Sequence, residues 1–162
     1  MSLTREIVAT YRGPGAVVRR LLSQGPREDR ALMLVMAACA IFFIAQMPAL
    51  ARQAHLDGSA LNPKLGGALL AWLIIAPLLF YALAAVTHFI ARIFGGKGTG
   101  YGARLALFWS LLAASPLVLL NGLAAGLIGP GPQLTLVGLV WFAVFLWFWI
   151  RGLSVAERGA PA

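Results

Sequence analysis

Few residues in this sequence could do chemistry, and they are scattered. His55 and Asp57 come closest to a metal-ligand pair. A zinc site takes three or four protein ligands, so these two do not make one, and they read as solvated loop polarity. His88 stands in an apolar run one turn before Arg92. An imidazole there bonds at a membrane edge or inside a bundle, or it couples protons. The single cysteine, Cys39, allows neither an internal disulfide nor a cysteine zinc site, and it reads as a small packing residue. Nothing resembles a Ser-His-Asp, Cys-His or paired-carboxylate arrangement. The expectation is a non-enzyme with no metal and no cofactor.

One stretch has the look of a phosphate loop. Gly98-Thr99-Gly100-Tyr101-Gly102-Ala103 fits the dinucleotide pattern G-x-G-x-x-A. That pattern works only between a strand and a helix of a βαβ unit, and here an apolar helical run precedes it. Gly96-Lys97-Gly98-Thr99 fails as a P-loop, because glycine follows the lysine. What remains is a flexible basic turn between two apolar runs.

Those runs set the architecture. The chain is 60% hydrophobic and 11% charged, with a mean hydropathy of +0.85. A soluble domain carries about 25% charged residues, so this composition marks a membrane protein. A run of about 20 apolar residues crosses the roughly 30 Å hydrocarbon core. Four such runs are present, at about 31–50, 67–90, 103–128 and 134–150. The expected fold is all-α and polytopic, with a transmembrane domain over 31–152. A basic segment at 1–30 precedes it, a polar loop fills 51–66, and a short irregular tail occupies 153–162. All five acidic residues are expected in loops or tails. Every Lys and Arg except Arg52 and Lys64 falls on one side of a four-span bundle. The positive-inside rule then puts both termini in the cytoplasm, at a bacterial inner membrane. The net charge of +8 therefore points to anionic lipid headgroups rather than nucleic acid.

Four details refine the expectation. In the basic segment, Val17, Val18, Leu21 and Leu22 form an apolar stripe after Pro14, with Arg19 and Arg20 pointing away. Such a helix lies in the headgroup plane and orients the bundle, or docks a soluble partner. Arg92, Lys97, Arg104 and Arg151 mark the same cytoplasmic edge and would face lipid or a partner. Pro77 and Pro116 stand near the middles of the second and third spans, where proline kinks a helix. Asn121 follows Pro116, and Gly122 and Gly126 then make a small-xxx-small step that admits another helix backbone.

Taken together, several of these stretches resemble the YIP family of Ypt/Rab-interacting membrane proteins, in a bacterial form. They are the basic lead YRGPGAVVRRLLSQGPREDRAL, the Gly95–Tyr101 turn, the proline-centred ALFWSLLAASPLVLL, and a Trp-rich last span ending after Arg151-Gly152-Leu153. The resemblance covers about residues 10–155. It implies a cytosol-facing N-terminus and a non-catalytic role. Eukaryotic members commonly have five spans and a long cytosolic N-terminal region. This chain has four spans and a 30-residue lead, so Rab binding and vesicle traffic are not carried over. The expected function is that of an accessory or scaffold protein contacting lipid, other membrane proteins or itself. The alternative is a small oligomeric transporter or channel with a polar path near Asn121.

Overall fold

A computed structural model describes residues 2–159, and every regular element among them is helical. Two short helices open the chain, α1 (Leu3–Thr10) and α2 (Pro14–Leu22). The long helix α3 (Glu28–Asp57) follows. Next come α4 (Leu61–Leu70), a π turn (Ala71–Ile75) and α5 (Ala76–Ile93), which together form one 33-residue apolar rod. The last three helices are α6 (Gly100–Ala113), α7 (Ser115–Leu127) and α8 (Pro132–Glu157). Three helices are long and apolar enough to cross a membrane: Glu28–Asp57, Leu61–Ile93 and Pro132–Glu157. The count is four if α6 and α7 together make one span.

Helix α6 is the centre of the molecule. It packs against α3, α5, α8 and both N-terminal helices. Leu105, Ala106, Leu107 and Phe108 are all fully buried, and Trp109, Leu111 and Leu112 nearly so. Helix α7 bends away from α6 by 44° and runs along α3. The bend comes from Pro116, which has no N–H to donate. Leu117 N–H then bonds Ala114 O instead of Ala113 O. The Tyr11 hydroxyl reaches in from the N-terminal segment and donates to Ala113 O at 2.8 Å. A neighbour thus satisfies the carbonyl that the shifted Leu117 bond leaves free at the break, as apolar surroundings demand.

Gly122 and Gly126 face α3. A Cβ on Gly122 would stand 2.0 Å from the Ala45 carbonyl oxygen, and one on Gly126 would stand 2.3 Å from Pro48 Cβ. Only glycine lets these two backbones approach so closely. Beyond this seam, Arg52 on α3 donates to Gly126 O at 3.3 Å, placing a cation on the C-terminal carbonyls of α7.

Several boundaries differ from the sequence reading. The expected polar loop at 51–66 shrinks to three residues, 58–60. Ala51, Arg52, Gln53, Ala54 and Leu56 are good helix formers and carry α3 onward. Gly58, at φ +64°, ends it in the left-handed conformation. Pro77 stands in the first turn of α5, directly after the π turn, so the irregularity lies just before the proline. The expected tail at 153–162 is helical as far as Glu157, and residues 160–162 lie outside the described residues. Nor are the acids confined to loops: Glu28 and Asp29 open α3, Asp57 closes it, Glu6 lies in α1 and Glu157 ends α8. Carboxylates in a first turn suit the helix dipole.

Helix α2 keeps the stripe read from the sequence, but protein covers it. Val17 and Val18 are each 1% exposed, against α8 and α6. Arg19 and Arg20 are exposed, as expected.

Candidate functional site

The turn between α5 and α6 is docked rather than free. Gly95 takes φ +89°, a conformation that side chains resist. Lys97 N–H donates to Glu157 O at 2.8 Å, and Gly98 N–H donates to Glu157 Oε2 at 3.3 Å. The other oxygen of that carboxylate lies 2.8 Å from His88 Nδ1. One carboxylate at the end of α8 therefore ties down both α5 and the turn. The glycines are a steric requirement: a Cβ on Gly98 would stand 2.2 Å from Ala156 O, and one on Gly96 would stand 2.6 Å from Glu157 Oε2. Thr99 then caps α6, its hydroxyl accepting from Gly102 N–H at 3.1 Å.

Docking the turn builds a basin of about 970 Å³ between it, α2 and the end of α8. Arg19, Lys97 and Arg158 supply three cations, and Ser23 and Thr99 supply hydroxyls. Leu22, Val155 and Ala156 form an apolar wall. The carboxylates among the described residues engage other basic residues: Arg20, Arg27, Lys64, His88 and Arg104. Arg19, Lys97 and Arg158 are exposed and have no carboxylate partner among those residues. Tyr101 is only 6% exposed, and its hydroxyl is buried without a hydrogen-bond partner. The opening of α6 adds the partial positive charge of a helix N-terminus. The basin can therefore hold an anion with apolar substance attached.

The residues singled out in the sequence are divided by the structure. It brings Arg19 and Lys97 together in the basin. Arg20 turns instead to Glu6 in α1, at 2.8 Å. Arg104 pairs with Glu28, joining the start of α6 to the start of α3. Arg92 and Arg151 are exposed on α5 and α8. Gly122 and Gly126 lie toward the other end of α7, and Pro77 is buried. Pro116 is exposed at the bend. Asn121 of α7 faces Gly138 of α8, and its buried Oδ1 has no partner. Asp57 pairs with Lys64, and His55 is exposed nearby.

Sequence reasoning missed Arg158, Tyr101, Ser23 and Glu157. Thr99 carried a usable signal, since a threonine before a helical run is a preferred cap. Glu157 carried none, because its partners are 59 and 69 residues away. No protein-family model matches the chain, and neither does any curated protein or any solved structure.

Proposed function

We propose that this chain is a non-enzymatic inner-membrane protein of YIP type, acting as an accessory or scaffold protein. In this reading four spans cross the bilayer, both termini face the cytoplasm, and α2 lies at the cytoplasmic surface. Its partners are anionic lipid headgroups and other membrane proteins, or a second copy.

The observation that supports it most is the filled interior. Phe108, Trp109, Leu111 and Leu112 of α6 are buried among Leu34, Val35, Phe42 and Phe148 at the level where a carrier would place its path. Ionisable groups in carriers face such a path. Here the buried carboxylates, Glu6 and Glu157, lie toward the one end of the bundle where α2 meets α8, and are engaged by Arg20 and His88. Along the sides, Leu78, Leu79, Phe89 and Ile93 leave an apolar surface for lipid or partner helices.

Gentle extraction of the tagged protein, followed by native mass spectrometry, tests this. The expected result is a stoichiometric membrane-protein partner that is lost when Arg19→Gln alters the exposed face of α2. A homo-oligomer carrying small molecules, with no other protein, would overturn the accessory role. One observation favours transport as a second reading: the orphaned Asn121 Oδ1 just beyond a broken helix. Asn121→Leu separates the two. Under the accessory reading partner recovery is unchanged, whereas loss of a measured flux would establish transport.

A further inference from the structure

We infer that the basin between α2, the Lys97 turn and the end of α8 is a discrete site for one phosphate ester, the phosphate held by Arg19, Lys97 and Arg158. The inference rests on the membrane reading above only for the source of the ligand, not for the site.

Charge selects the anion. Three cations face one basin without a carboxylate partner among the described residues. A single carboxylate would leave most of that charge uncompensated, whereas a phosphate offers several acceptor oxygens and up to two charges. Arg and Lys are both good phosphate ligands. The cap and first turn of α6 line the basin through Thr99, Tyr101 and Gly102, and a helix N-terminus carries partial positive charge.

Volume and wall select the rest of the ligand. The basin measures about 970 Å³, at the upper end of the roughly 300–1,000 Å³ of small-molecule sites. Phosphate fills only a part of that. Leu22, Val155 and Ala156 offer the remainder an apolar surface. A lipid headgroup with its glycerol and first methylenes satisfies both requirements, and so does a water-soluble phosphate ester.

Titration calorimetry on the full chain in nonionic detergent tests the site with three probes: inorganic phosphate, glycerol 3-phosphate and dihexanoyl phosphatidylglycerol. At least one probe is expected to bind one-to-one. Lys97→Gln and Arg158→Gln should each weaken it about tenfold, the loss of one charge-assisted hydrogen bond. Arg5→Gln and Arg12→Gln make the same charge change outside the basin, and they should shift affinity less than about twofold. Binding of the lipid alone assigns a headgroup, and equal binding of glycerol 3-phosphate assigns a soluble ester. No binding of any probe by protein with intact helical circular dichroism overturns the site. So does a loss in the Arg5 and Arg12 variants equal to that in the basin variants, which would mean diffuse charge. Neither failure touches the accessory role, which partner recovery measures.

Discussion

Two close approaches hold this molecule together, one toward each end, and both depend on glycine. Along α7, Gly122 and Gly126 meet Ala45 and Pro48 of α3. At the Lys97 turn, Gly96 and Gly98 meet Ala156 and Glu157 of α8. The first is helix against helix: it is carried by van der Waals fit, with Arg52 capping its far end. The second is turn against helix end, fastened by two backbone N–H groups and one imidazole on a single glutamate. The same residue type therefore serves two purposes. In the seam, glycine removes bulk so that apolar surfaces touch. At the turn, glycine removes bulk so that polar groups can reach each other. The seam should fail globally when filled, and the turn locally.

The largest effect is expected from Gly122→Leu. Its Cβ alone would fall 2.0 Å from a backbone oxygen, and backbone cannot yield as a side-chain tip does. A loss of about 3 kcal/mol or more is expected, measured as detergent unfolding followed by tryptophan fluorescence. Unchanged stability would mean that α3 and α7 do not meet at this seam.

Gly98→Ala comes next, at about 2 kcal/mol and confined to the turn. Limited trypsin digestion should cut after Lys97 far faster while the unfolding midpoint moves less than in Gly122→Leu. A global collapse equal to that of the seam variant would erase the distinction between the two ends.

Tyr11→Phe probes the seat of the N-terminal segment on the broken helix. Loss of the bond to Ala113 O should cost about 1 kcal/mol. Burial raises the Tyr11 hydroxyl above its ordinary 10.0, so the folded chain holds that proton more tightly than the unfolded one does. The resulting stability is whole below pH 10 and falls as pH rises beyond it. Tyr11→Phe should lack that part of the alkaline loss, and identical pH curves would remove Tyr11 from the bond.

The smallest effect belongs to Arg104→Gln. Its partner Glu28 is 57% exposed, so the pair should contribute less than about 1 kcal/mol, weakening further in salt. A loss matching Gly98→Ala would place it within the turn's fastening.

The helices themselves were legible along the chain. Hydropathy and length marked the apolar runs, and Pro116 marked the bend. Gly122 and Gly126 stood out by their spacing, and the structure supplies what they meet. Boundaries were less legible. The fall from apolar span to polar residues looked like the end of a helix at Leu50, yet α3 continues to Asp57 because helix propensity persists after hydropathy ends. The same reason carried α8 through Arg151 to Glu157.

By itself, the sequence determined where apolar surface must be buried and where charge must stay out, because both are local sums over neighbouring residues. It could not decide which ends meet. Arg19, Lys97 and Arg158 are far apart in the chain and share one basin only because α2, the turn and α8 converge. Glu157 looked like part of a polar tail, and it became the fastening of the turn only once α8 ran antiparallel to α6. Tyr11 had no visible role until Pro116 left a carbonyl without its donor 102 residues away. Partners of that kind are chosen by the packing of whole helices, and no window along the chain contains them.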